Sequence, residues 1–251
     1  MKLGLIGAGN MATALARGIG EPVLVSDVDR GRAEALAQAV GGQALDSNRA
    51  VAEQADAVVL CHKPTQLEDV ALEIRDTAKA VVSILGGTPL AALELAYAGK
   101  PVYRFMPNIP AEVKKGVFCF APGSLAADGP QHGILDLFAR AGTVIQVPDG
   151  LIDTSTALMG CGPAFFALVV ESLIDAGVRY GLTPDQASVM AVETMGGTAA
   201  VLAAGGNDPV ALRRRVTSPG GSTARGLEAL EQNGVRAAFA DAVTAVVEPT
   251  R

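Results

Sequence analysis

Residues 3–12 read Leu-Gly-Leu-Ile-Gly-Ala-Gly-Asn-Met-Ala: a short apolar strand pattern, a Gly-x-Gly turn, and the first turn of an amphipathic stretch that continues to Ile19. In a strand-turn-helix unit of this kind Gly7 permits the tight turn, Gly9 lets a pyrophosphate come close to the backbone, and Ala12 supplies the small third position where helix packs on strand. The string is common by itself. Its setting, directly after a strand and at the opening of a helix, predicts dinucleotide binding. Asp27 stands twenty residues beyond Gly7 at the end of the second predicted strand, where a carboxylate meets the adenosine ribose hydroxyls of NAD. Arg30 and Arg32 follow within a few residues, and a guanidinium there suits the 2′-phosphate of NADP. The sequence leaves the choice between NAD and NADP open.

Outward from this unit, apolar runs alternate with amphipathic ones. Strands are expected at 2–6, 22–25, 57–60, 80–84, 102–105, 117–120 and 143–147, with helical patterns such as 11–19, 30–40 and 66–77 between them. Alternation of this kind argues for a mostly parallel sheet covered on both faces. After residue 151 the strand signal ends, and 151–160, 163–181, 184–204, 208–215, 222–232 and 234–247 read as helices broken at Gly, Pro and Asn-Asp positions. The fold class expected is α/β: a Rossmann-type dinucleotide-binding domain over 1–150, then an all-α domain over 151–251. Several of these helices are apolar on nearly all sides and need burial on nearly all sides, so the helical domain is expected to complete its core against a second subunit.

Composition excludes other classes. With 49% apolar and 18% charged residues in 251, the chain can bury a real core. The net charge of −6 and scattered basic residues form no stripe that could follow phosphates, and the absence of Trp disfavours base stacking, so nucleic acid is not an expected partner. Cys61, Cys119 and Cys161 lack CxxC spacing and, with only two histidines, offer no metal site. No secretory leader is read before the first strand, and a reducing cytoplasm is expected. No run of about 20 apolar residues free of charge or glycine occurs, so no membrane span is expected.

The second informative stretch is residues 216–223, Val-Thr-Ser-Pro-Gly-Gly-Ser-Thr, which runs into a helical pattern. A Pro-Gly-Gly turn opening onto a helix N-terminus leaves backbone N–H groups unpaired, an arrangement that suits a carboxylate. The hydroxyls of Ser222 and Thr223 sit beside them.

With these pieces placed, the sequence resembles the pyrroline-5-carboxylate reductases from Leu3 to about Val247. The resemblance rests on the glycine turn, Lys63-Pro64, Arg104-Phe105-Met106-Pro107-Asn108, Gly160-Cys161-Gly162-Pro163-Ala164, Glu171 with Asp175-Ala176-Gly177-Val178, and the 216–223 loop. It implies reduction of the cyclic imine Δ1-pyrroline-5-carboxylate to L-proline by NADPH or NADH, the last step of proline synthesis. It places Gly7, Gly9, Asn10, Met11 and Asn48 around the dinucleotide, with Cys61, Lys63, Met106, Pro107 and Asn108 bordering the nicotinamide. Ser218, Gly221, Ser222 and Thr223 go to the substrate carboxylate and ring nitrogen. A homodimer interlocked through the helical domain, often assembled into a ring of dimers, is implied as well. The chain departs from the common pattern at His62, Ile109, Cys161 and Ser222.

The chemistry asks for little else. An imine is basic enough to take its proton from water or a hydroxyl, so orientation against the nicotinamide supplies most of the rate, and Thr223 is the candidate for steering the nitrogen. Alcohol oxidation would need a base, and residues 163–182 contain no Lys. Glu171 and Asp175 share a helix face and read as structural, with Arg179 one turn on. The alternatives are a reductase of another cyclic imino acid on the same fold, and a dinucleotide-binding regulator without turnover.

Overall fold

The computed structural model describes residues 1–248. The chain divides into two compact units, Met1–Pro163 and Ala164–Arg251.

The first unit runs β1 (Leu3–Ile6), α1 (Asn10–Ile19), β2 (Val23–Ser26), α2 (Arg30–Val40), β3 (Gln43–Ala44), α3 (Asn48–Gln54), β4 (Ala57–Leu60), α4 (Leu67–Ile74), β5 (Val81–Ser83), α5 (Leu90–Ala96), β6 (Val102–Met106), β7 (Gly116–Pro122), α6 (Gln131–Ala141), β8 (Gly142–Gln146) and α7 (Ile152–Ser155). The eight strands form one sheet in the order β3-β2-β1-β4-β5-β6-β7-β8, parallel except for the antiparallel β6–β7 pair. Every residue of β1, β2 and β4 is buried, and apart from Ser26 at the end of β2 none is polar, because both faces of the sheet are covered. Leu5, Val25 and Val59 enter one core with Leu15, Phe105 and Phe138, while Ile6, Leu24, Val58 and Leu60 enter the other with Ile74 and Tyr97. Period-two geometry thus sends consecutive residues of one strand to opposite cores. In the first core Phe105 stacks on Phe138 at 4.2 Å and meets Phe120 at 4.8 Å.

All seven expected strands form, with ends shifted by one or two residues. The sequence reading does not contain β3, whose two residues are too short to carry periodicity. Nor does it foresee the antiparallel β6–β7 pairing, which sets β7 and β8 against the direction of the other six strands, since pairing direction is set by the connection rather than by residue type. Residues 151–160, expected as one helix, are instead α7 followed by a π-helical turn at Thr156–Gly160.

The second unit is helical throughout, as expected. α8 (Gly162–Arg179) enters it, followed by α9 (Pro184–Ala204), α10 (Pro209–Arg215), α11 (Ser222–Gln232) and α12 (Val235–Val247). Start signals set the ends: Thr183 and Gln186 form a reciprocal capping box before α9, and the Asp208 carboxylate accepts from Val210 and Ala211 N–H at the head of α10. Among the described residues of these five helices only Gly162, Ala187 and Ala191 are buried. The runs Asp149–Arg179 and Pro184–Ala204 are long and apolar enough to cross a membrane by length and composition alone, with mean hydropathy 1.8 and 1.4. They pass where the stricter sequence criterion failed them because a few charges and glycines are tolerated.

Candidate active site

The glycine turn lies where β1 hands over to α1. Gly7 has φ +107°, and a Cβ there would come within 2.8 Å of the Cys61 carbonyl carbon and oxygen, so only glycine fits. A Cβ on Gly9 would meet nothing within 4 Å, which leaves the backbone open to a ligand. Gly7 N–H donates to Ser26 O at 2.8 Å and Cys61 N–H to Ile6 O at 2.8 Å, tying the ends of three parallel strands together.

Two cavities of about 530 and 480 Å³ flank this turn and share Gly9 and Arg32. Asn10 and Thr13 line the first; Gly7, Asp27, Asn48, Cys61, His62 and Lys63 line the second. The structure therefore brings together seven of the residues singled out for the dinucleotide: Gly7, Gly9, Asn10, Asp27, Asn48, Cys61 and Lys63. The volume and the Cβ-free rim fit a dinucleotide. Met11, Met106, Pro107 and Asn108 do not line either cavity, and the last three are buried.

Electrostatics within the cleft are specific. Asp27 Oδ2 accepts from Ala8 N–H at 2.6 Å and Oδ1 from Asp29 N–H at 2.8 Å, so the carboxylate braces the turn while keeping lone pairs for a hydroxyl. Arg30 is committed to Glu34 and Asp46. Arg32 has only a 3.5 Å contact with Asp29 and lines both cavities, whereas Arg17, paired with Glu112, lines the first alone and Lys63 the second alone. Ser26 donates its hydroxyl to Asn48 Oδ1 at 2.8 Å, and Asn48 Nδ2 donates to Glu73 at 2.8 Å, fixing the amide orientation. Burial pushes the Cys61 thiol far up, so it stays protonated and inert. His62 Nδ1 lies 2.9 Å from Lys63 O; a carbonyl only accepts, so Nδ1 carries the proton, and the buried Nε2 lone pair has no partner among the described residues. Burial lowers the pKa of His62, with the Lys63 carbonyl and the charge of Glu73 opposing more weakly.

In the second unit, the 216–223 loop leads into the head of α11. Gly220 has φ +68°, and a Cβ on Gly221 would fall 2.5 Å from Ser218 Oγ. Gly221 N–H returns to Ser218 O at 3.1 Å and Arg225 N–H to Gly221 O at 3.2 Å. Between them, among the described residues, the N–H groups of Ser222, Thr223 and Ala224 make no backbone hydrogen bond, and no side chain caps the helix. Ser218, Ser222 and Thr223 are exposed beside these donors. Glu171, Asp175 and Arg179 are exposed on α8, and Asp175 and Arg179 form no ion pair among the described residues. His132 is a surface residue beside Asp136 at 3.6 Å. Among the described residues no group of His, Cys, Asp and Glu is placed to hold a metal.

Sequence reasoning overlooked the ion cluster of Arg104. This β6 guanidinium is buried, donates to Asp149 Oδ1 at 2.6 Å and reaches Asp153 Oδ1 at 3.3 Å. The signal was legible: an arginine inside an all-apolar strand demands acidic partners, and 149 and 153 stand one helical turn apart.

Residues 149–251 match the family model described as pyrroline-5-carboxylate reductase dimerisation, and residues 2–87 match the one described as NADP oxidoreductase coenzyme F420-dependent. The exposed apolar helices of the second unit are thus those of a dimerisation domain, and the protein is a homo-oligomer. The chain is 35% identical to a pyrroline-5-carboxylate reductase of Methanosarcina acetivorans over all of this chain and 97% of that protein. It is 34% identical to that of Corynebacterium melassecola over 98% of this chain and 96% of the other. A crystal structure of Plasmodium falciparum pyrroline carboxylate reductase with NADP bound superposes with a TM-score of 0.87 at 30% identity, covering 99% of this chain and 96% of that one. The chain belongs to the pyrroline-5-carboxylate reductase family.

Proposed function

We propose that the protein reduces Δ1-pyrroline-5-carboxylate to L-proline with NADPH, as a cytoplasmic homodimer. The observation that carries this reading is the full-length similarity, at 35% identity, to a protein of that name. Residues 1–150 hold the dinucleotide, and 151–251 hold the substrate and build the dimer, with a ring of dimers as the larger assembly. When bound, the reduced nicotinamide supplies a hydride for the imine carbon. The demands left to the protein are binding and orientation. The N–H groups of Ser222 and Thr223 take the carboxylate, Gly221 keeps the turn open beside Ser218, and the Thr223 hydroxyl steers the ring nitrogen as it gains its proton. Along the glycine turn, Asn10 and Met11 flank the pyrophosphate, with Asp27 and Asn48 on the adenosine side and Cys61 and Lys63 further along the cleft. Arg32 supports NADPH over NADH because its guanidinium lines the cleft with only a 3.5 Å contact to Asp29 holding it, which leaves donors for a 2′-phosphate.

Initial rates with NADPH and NADH on Δ1-pyrroline-5-carboxylate and on a six-membered cyclic imino acid test the reading. The five-membered ring with NADPH is expected to give the highest kcat/KM, and Thr223→Ala to lower it by roughly tenfold or more. Faster turnover of the larger ring would replace the substrate, and faster turnover with NADH would replace the coenzyme. Tight coenzyme binding without turnover of either ring would favour a regulator.

A further inference from the structure

The Arg-Phe-Met-Pro-Asn motif ends in a residue that the family resemblance puts beside the nicotinamide, yet the side chain of Asn108 is buried and both ends of its amide are engaged. Oδ1 accepts from Val117 N–H at 2.8 Å, and Nδ2 donates to the main-chain oxygen of Met159 at 3.0 Å. That oxygen has a specific need. In a continuous helix Met159 O would accept from the N–H four residues on, but residue 163 is proline and has none. The preceding turn has already widened, with Cys161 N–H donating to Thr156 O, five residues back, at 2.9 Å. A side-chain amide 51 residues away in sequence replaces the missing donor.

Arg104 lies four residues earlier on the same extended segment and grips Asp149 and Asp153. Four extended residues span about 13 Å and ten helical residues about 15 Å, so the two grips match the path from Asp149 to Met159. All of these groups lie within Met1–Pro163, at the end where the chain passes into α8.

We propose that Asn108 is a positioning residue: its amide N–H stands in for the main-chain donor that Pro163 lacks and fixes the turn through which the chain enters α8, and hydride transfer depends on that setting. The effect on turnover rests on the imine-reductase reading above; the bond itself does not.

The test is a double-mutant cycle of Asn108→Ala and Pro163→Ala, read by thermal melting, by NADPH affinity in a fluorescence titration, and by kcat. Pro163→Ala restores a main-chain N–H opposite Met159 O, and the lost bond to Val117 is common to both backgrounds and cancels. Asn108→Ala alone is expected to lower Tm by about 4 °C and kcat by roughly tenfold, with the NADPH Kd within about twofold of the parent. In the Pro163→Ala background both losses shrink by at least half. Equal losses in the two backgrounds would overturn the proposal. So would a weakened NADPH Kd at unchanged kcat, which marks a coenzyme contact, or coupling in Tm with kcat untouched, which marks a purely structural bond. If the parent enzyme does not turn over the imine, the substrate reading fails while the melting cycle still decides the bond.

Discussion

At the scale of single residues, the glycine turn was legible because its chemistry is steric and local. Gly7 combines a positive φ with a Cβ position 2.8 Å from the Cys61 carbonyl, so a methyl group brings backbone strain of about 1–2 kcal/mol and pushes the turn off β4. Gly7→Ala is expected to weaken NADPH binding at least tenfold in a fluorescence titration, whereas Gly9→Ala, which meets no protein atom, should lose affinity only through contact with the coenzyme and leave Tm unchanged. The environment of His62 was not legible, because its burial depends on how the Lys63-Pro64 turn folds back. Its pKa lies below the ordinary 6.5, chiefly through burial. The imidazole is therefore neutral in the folded chain, and as pH falls through and below 6.5 the unfolded chain takes up the proton first. Stability is retained above that range and lost on acidification. His62→Phe should flatten the decline of Tm between pH 7 and pH 5; an unchanged slope would remove His62 as its source.

At the scale of elements, β1, α1, β2, α2 and β4 could be read from pattern because each carries its own period, capping residue or stop. The π-helical turn at Thr156–Gly160 could not, although Pro163 was in plain view: a proline leaves the carbonyl four residues back without its helical donor, and the donor that replaces it here comes from a residue distant in sequence. The same holds for the Arg104 cluster, whose two acidic partners are not equivalent. The Asp149 side chain is 31% exposed and also accepts from Leu90 N–H at 3.2 Å, whereas that of Asp153 is 71% exposed. Water screens the second pair and less so the first. Asp149→Asn is thus expected to cost about 2 kcal/mol, a Tm loss of roughly 4–8 °C, and Asp153→Asn less than about 0.5 kcal/mol. Calorimetry on the two variants checks the ranking, and equal losses would mean that the guanidinium is shared evenly.

At the scale of the whole molecule, the helical unit is the part whose sequence spoke most plainly about assembly and least about arrangement. Leu168 and Leu173 on α8, and Val189 and Val192 on α9, expose half or more of their surface in the single chain. Across five helices just three of the described residues are buried. A helical layer with so little interior of its own gains its hydrophobic stabilisation from another copy of itself, at about 25 cal/mol for each Å² of apolar surface covered. Stability of such a protein is tied to its concentration, because association and folding share one free energy. The wild-type Tm is therefore expected to rise with protein concentration, and a charge placed in the apolar layer, as in Leu168→Glu combined with Val192→Glu, is expected to shift the sedimenting species to the 25.5 kDa single chain and to abolish imine reduction. NADPH binding, whose proposed residues all lie in the first unit, should survive at close to the parent affinity. A doubly substituted protein that kept the parent mass and activity would place the subunit contact elsewhere on the helical unit.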